Sequence, residues 1–169
     1  EIPTIFCPSY ELRQDERFAR QKNICNFLRS KKNDIIIKTI ENFQSETFPI
    51  SYNLKATYPS FISDKKPLYQ SIKLYKPKII IIDYLGTSLF ECMYSNAEII
   101  LYLDKHNHPS SDVLNVLKKR VHFVYNHSEF VKKFNLIKLG LIKKQDYKPL
   151  NKYFDLKINK QKIENLLQI

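Results

Sequence analysis

The fold class is indicated most clearly by one stretch, Lys78-Ile79-Ile80-Ile81-Ile82-Asp83-Tyr84-Leu85-Gly86-Thr87-Ser88. Isoleucine favours strands, and a strand that is apolar along its whole length needs cover on both faces. The isoleucines end at an aspartate, and Gly86 is followed by two hydroxyl residues that suit the start of a helix. The stretch therefore predicts a buried parallel strand that runs through a tight turn into a helix.

Short apolar runs alternate with helical patterns on both sides of this stretch. We expect strands at residues 2–7, 34–37, 78–83, 99–103 and 121–125, with a further short strand at 51–57. We expect helices at residues 15–30, from 67, from 88, at 111–119 and at 128–137. This alternation predicts βαβ units, and hence a doubly wound, Rossmann-like α/β fold with a mostly parallel sheet of five or six strands.

Composition limits the classes of protein that this chain can belong to. Its 169 residues are 43% apolar, which is enough for one core, and residues 1–137 are expected to form it. The 138–169 segment is a basic extension with a predicted helix at 159–167. Only two glycines occur, which excludes both the G-x-G-x-x-G fingerprint and the Walker loop.

Location and processing are also predicted from composition. The three cysteines form no paired framework and no run approaches the length of a membrane span, so we expect a reduced, cytoplasmic setting. The chain begins with Glu1 rather than methionine, and we expect it to be cut from a longer protein or processed.

The turn after the isoleucine strand is the first candidate site. Ligands of open parallel sheets bind beyond the carboxyl ends of the strands, and backbone N–H groups with two hydroxyls suit a phosphate. Thr87 and Ser88 would supply the hydroxyls. An alternative stays open, because Ser88 and Glu91 also fit a capping box in which each only satisfies the other's backbone.

Residues 78–91 of this stretch, followed by Asn96-Ala97-Glu98-Ile99-Ile100-Leu101-Tyr102-Leu103-Asp104, resemble the C-terminal half of GT-B glycosyltransferases. The pattern is similar to that of bacterial O-antigen and capsule transferases, and the resemblance extends over about residues 1–137. It implies that this region is a Rossmann-like domain that binds a nucleotide-sugar donor. Thr87 and Ser88 would hold the donor phosphate, Gly86 would allow close approach, Glu91 would meet ribose or cap the helix, and Asp83 would order the turn.

Further candidates lie near the same edge of the predicted sheet. Arg13 and Lys38 follow the first two strands and could meet a phosphate, although a solvated side chain is an alternative for each. Tyr84, Asp104 and His106 are candidate contacts for a base or sugar. No third ligand at metal spacing accompanies His106 and His108, so we expect no metal cofactor. No side chain is identified as the catalytic base.

The expected partners follow from the resemblance and from charge. They are a nucleotide-sugar donor, CMP-linked or otherwise, a saccharide or lipid-linked acceptor, and an N-terminal GT-B half or partner chain toward which the extension could pack. A polyol-phosphate transferase of the teichoic-acid type is an alternative. Residues 118–169 carry +9 of the net charge of +11, so a non-catalytic module that binds an anionic membrane surface is a second alternative. Nucleic acid is a weaker alternative as the ligand of such a module, because the sequence has no RNP-type aromatic motif.

Overall fold

Six parallel strands form one open sheet in the computed structural model, which describes residues 2–7, 14–31, 34–38, 57–93, 95–103 and 109–142. The sheet order is β3-β2-β1-β4-β5-β6. The strands are β1 (Thr4–Cys7), β2 (Ile35–Lys38), β3 (Ile62–Asp64), β4 (Ile79–Ile82), β5 (Glu98–Tyr102) and β6 (Val121–Val124). Every neighbouring pair is parallel, which confirms the predicted doubly wound, Rossmann-like class.

Helices cover both faces of the sheet. Five are described: α1 (Gln14–Ser30), α2 (Leu68–Tyr75), α3 (Thr87–Met93), α4 (Ser111–Leu117) and α5 (His127–Lys138). One apolar core joins α2, α3 and α4 to the sheet through Leu68, Leu89 and Leu117. The other joins α1 and α5 to the opposite face through Leu28 and Phe130.

The four isoleucines of β4 show why the sequence folds this way. Ile80 and Ile82 point into the first core, Ile79 and Ile81 into the second, and all four are fully buried. Burying each such side chain contributes about 1.5–3 kcal/mol, so β4 ties the two layers together.

The third strand of the structure was not predicted from the sequence. The structure has β3 at Ile62–Asp64, while residues 51–56 of the expected strand lie outside the described residues and Thr57 is helical. Ile62 and Ser63 are exposed on this edge strand, so it lacks the continuous apolar run that marks the others.

Other boundaries differ by one or two residues, as at the start of β1 (Thr4) and the end of α4 (Leu117). Helix α3 begins at Thr87 rather than Ser88, and α5 ends at Lys138, just beyond the expected domain limit. The predicted helix at 159–167 lies outside the described residues.

A tight turn closes α5. Gly140 has a φ of +69°, its N–H donates to the carbonyl of Ile137 (2.9 Å), and the Leu141 N–H donates to the carbonyl of Leu136 (3.0 Å). This is a Schellman motif, in which glycine is favoured because it adopts a left-handed backbone without strain. No described helix is both long and apolar enough to cross a membrane.

Candidate functional site

The carboxyl ends of β1 and β4 define the candidate site. These two strands are neighbours, with Cys7 beside Ile82, yet the sheet continues to β2 and β3 on one side and to β5 and β6 on the other. The connections therefore diverge, and the divergence opens a crevice beyond the strand ends where ligands of this fold bind. The turn from Asp83 to Ser88 lies at this point, directly after β4.

Asp83 anchors the start of the turn. It is 1% exposed, and its carboxylate accepts a hydrogen bond from Gln21 Nε2 at 2.8 Å. Gln21 is itself buried on α1. The bond therefore joins the turn to α1 and adds Gln21 to the residues that shape the site.

Tyr84 lies over the glycine of the turn. A Cβ built on Gly86 would stand 2.3 Å from Tyr84 Cε2 and 2.8 Å from Cδ2, so only glycine leaves room for the ring. The Tyr84 hydroxyl forms a hydrogen bond of 2.6 Å with Ser88 Oγ. Burial raises the pKa of Tyr84, so the phenol stays protonated at neutral pH. The close approach that Gly86 permits in this structure is that of the tyrosine ring.

The two hydroxyl residues differ in what they offer a ligand. Thr87 is exposed at the first position of α3, and Ser88 is partly exposed and bonded to Tyr84. The Leu89 N–H donates to the carbonyl of Gly86 at 3.1 Å, which closes the first turn of the helix. Thr87 therefore faces solvent, while the hydroxyl of Ser88 is paired with that of Tyr84.

Glu91 reaches out of its own helix. Its carboxylate accepts a hydrogen bond from the backbone N–H of Tyr69, in the first turn of α2. Pro67 precedes that helix and provides no side-chain cap, so Glu91 satisfies one of its unpaired donors. Burial raises the pKa of Glu91, against the opposing effects of this bond and of Lys38. The partners of Ser88 and Glu91 are thus Tyr84 and Tyr69, not each other's backbone as in the capping-box alternative.

Lys38 closes a polar network at the ends of β2 and β3. Its ammonium donates to Ser71 Oγ (2.8 Å) and to the carbonyl of Lys66, and it lies 3.6 Å from Asp64 Oδ2. Ser71 Oγ in turn donates to Asp64 Oδ2 at 2.6 Å. Sequence reasoning missed Asp64 and Ser71, because the strand that carries Asp64 was not recognised.

Burial and the neighbouring charges both shift the pKa values of the ionisable groups in this network. Burial lowers the pKa of the Lys38 ammonium, and the Asp64 carboxylate opposes that shift. Burial alone would raise the pKa of Asp64, but the Ser71 hydroxyl, the Lys66 N–H and two lysine ammonium groups together lower it. Asp64 is therefore ionised at neutral pH, and its bonds to Ser71 and Lys38 join α2 to the ends of β2 and β3.

The structure brings most of the predicted site residues to one edge. Asp83, Tyr84, Gly86, Thr87, Ser88 and Glu91 follow β4, and Lys38 ends β2, two strands away. Arg13, Asp104 and His106 lie outside the described residues.

Cysteine and metal chemistry have no candidate in the described ranges. All three thiols are buried, and burial raises their pKa values, that of Cys25 to about 12. No group of three or more His, Cys, Asp or Glu residues in these ranges could hold a metal ion. Cys92 lies on α3 and packs in the apolar core between this helix and the sheet, as the sequence predicted.

Comparison with known proteins does not assign the chain to a family, so the geometry of the site is the basis for its chemistry. No protein-family model matches the chain, and no curated protein sequence matches it significantly.

Proposed function

We propose that the chain is the donor-binding half of a GT-B-type glycosyltransferase that uses a nucleotide-activated sugar in surface-polysaccharide synthesis. The observation that carries the proposal is the position of Gly86, Thr87 and Ser88, directly after β4 and beside the divergence between β1 and β4. The sequence resemblance is concentrated on the same turn.

The proposed ligand contact uses the two hydroxyls and the backbone of the turn. Thr87 Oγ1 is accessible without rearrangement, whereas the phosphate must replace the Tyr84 hydroxyl as the partner of Ser88 Oγ. The exchange costs little, because one hydroxyl hydrogen bond is traded for one to a charged acceptor, which is the stronger kind. Tyr84 would then be released to lie against the ligand.

The chemical contribution of this half is to hold the leaving group. In sugar transfer the bond from the anomeric carbon to the donor phosphate breaks while an acceptor hydroxyl oxygen forms the new bond. Negative charge grows on the nucleotide phosphate, and the hydroxyls of Thr87 and Ser88 stabilise it. The acceptor and the base that takes its proton would come from the other half of the enzyme.

Nucleotide titration tests the proposal. CMP, CDP, UDP and GDP are titrated into the ¹⁵N-labelled chain, and NMR shifts are followed for the wild type and for Thr87→Ala/Ser88→Ala. We expect one nucleotide to shift the resonances of residues 83–91 and its affinity to fall about tenfold or more in the double variant, since each lost bond to a charged group costs about 1.5–3 kcal/mol.

A matched control variant shows whether the loss of binding is specific to Thr87 and Ser88 or follows from removing any two hydroxyls at the start of a helix. Ser110→Ala/Ser111→Ala removes the two serines that begin α4, where Ser110 makes no capping bond through its side chain. This control should bind like the wild type. Failure of all four nucleotides to bind the folded chain, or equal loss in both double variants, would contradict the proposal.

A further inference from the structure

The amino edge of the sheet, where the strands begin and the helices end, is strongly basic. Its described segments carry five exposed lysines against one exposed carboxylate, that of Asp34. The lysines are Lys76, Lys78, Lys118, Lys119 and Lys138. By contrast, the opposite edge mixes Lys38, Lys65 and Lys66 with Asp64, Asp83 and Glu91.

Hydrogen bonds show that these basic segments are neighbours. The Lys78 N–H donates to the carbonyl of Pro3 and the Glu98 N–H to that of Lys78, each at 2.9 Å. Arg120 Nη2 then donates to the carbonyls of Ser95 (2.8 Å) and Ala97 (2.7 Å). The segments before β1, β4, β5 and β6 therefore form one continuous surface.

Two leucines project at the same edge. Helix α5 starts where β6 ends and packs against β5 and β6, so its last residue returns to the amino edge. Leu139 is 70% exposed and Leu141 is 67% exposed. The Schellman turn through Gly140 fixes the backbone that carries both side chains, which lowers the ordering cost of burying them.

We infer that this amino edge docks on an anionic lipid bilayer. Lysines and a pair of exposed leucines at the same edge of the sheet match a surface that offers lipid phosphates above an apolar interior. Nucleic acid is a poorer fit, because the exposed side chains here are lysine and leucine rather than the arginine and aromatic residues that stack on bases. Docking in this orientation keeps the carboxyl edge turned away from the bilayer.

Vesicle co-sedimentation of the full chain tests the inference. Vesicles of equal parts phosphatidylglycerol and phosphatidylcholine are compared with pure phosphatidylcholine, at low and high salt. We expect binding to the anionic vesicles alone, and its loss in high salt because screening shortens the reach of the charges. Lys118→Gln/Lys119→Gln should weaken binding about fivefold for each lysine, and Leu139→Ser/Leu141→Ser about tenfold for the pair.

Matched variants remove the same groups from other surfaces. Lys22→Gln/Lys65→Gln lowers the net charge equally, and Val113→Ser removes an exposed apolar side chain from the first turn of α4. Both should bind like the wild type, and circular dichroism verifies that every variant is folded.

Three results would overturn the inference. One is equal binding to neutral and anionic vesicles. Another is equal weakening of binding in Lys118→Gln/Lys119→Gln and in its control Lys22→Gln/Lys65→Gln, which would assign binding to the overall charge of the chain. The third is binding to a single-stranded oligonucleotide that exceeds vesicle binding and ignores the leucine substitutions, which would assign the surface to nucleic acid.

Discussion

Replacing Gly86 with alanine tests whether the tyrosine ring is the reason for this glycine. The added methyl would lie 2.3 Å and 2.8 Å from two carbons of the Tyr84 ring, well inside van der Waals contact. Gly86 does not have a positive φ, so alanine fits the backbone and the strain comes from the ring alone. Overpacking of this kind costs about 1–3 kcal/mol, and displacement of the ring adds about 0.5–1.5 kcal/mol for the bond to Ser88.

The same substitution should cost almost nothing once the ring is removed. In a Tyr84→Ala background two smaller effects remain, and they oppose each other. Alanine is a poorer residue than glycine before a helix by roughly 0.5–1 kcal/mol, while it restricts the unfolded chain by about 0.4–1 kcal/mol. The double-mutant cycle should therefore give a coupling energy of about 1.5–4.5 kcal/mol between positions 84 and 86.

Urea unfolding followed by far-ultraviolet circular dichroism measures the cycle, since the chain has no tryptophan to report by fluorescence. The four proteins are the wild type, the two single variants and the double variant. Equal destabilisation by Gly86→Ala in the presence and absence of the tyrosine would refute the reasoning. Glycine would then be needed at this turn for a reason other than the ring.

Four further predictions concern charge and thiols. Lys38→Met should lower the free energy of unfolding by about 1–3 kcal/mol in urea titrations, because Asp64 and Ser71 lose a buried donor; stability equal to the wild type would contradict it. Asp64 has a lowered pKa, so the stability that its ionised form contributes is complete above its ordinary value of 3.8 and is lost as pH falls through the lower folded value. Asp64→Asn should accordingly cost less in acid than at neutral pH. Glu91 has a raised pKa, so its ionisation opposes folding as pH rises from its ordinary value of 4.5 through the folded one, and Glu91→Gln should remove that fall in stability. The thiols should react with Ellman's reagent slowly in the native chain and at once in urea, because burial raises their pKa values; rapid native labelling would show that they are accessible.

The sequence predicted those parts of the fold that depend on local pattern. Four consecutive isoleucines require two covered faces, and this requirement identified β4 and the parallel class before any contact was known. Strand β3 was not predicted because Ile62-Ser63-Asp64 lies at the edge of the sheet. Exposed polar residues are tolerated there, so the strand has no continuous apolar run in the sequence.

The turn of the candidate site was also predicted from a local pattern, whereas its hydrogen-bond partners were not. A lone glycine after a strand, followed by two hydroxyls, indicated the turn. The partners of that turn come from other elements, because Glu91 bonds to Tyr69 in another helix and Lys38 meets a serine far along the chain. Such pairings depend on how helices pack across the sheet, and no spacing within one segment specifies them.

The central position of β1 has a consequence for synthesis. Among the six described strands this one is synthesised first, yet its register pairs Thr4 with Ile35 on one side and with Ile79 on the other. At roughly 5–20 residues per second, the 75 residues between Thr4 and Ile79 take about 4–15 s to emerge. For that interval the nascent chain presents an apolar strand with one side unpaired, so the period in which it is open to chaperones or to misassembly is fixed by the order of its strands.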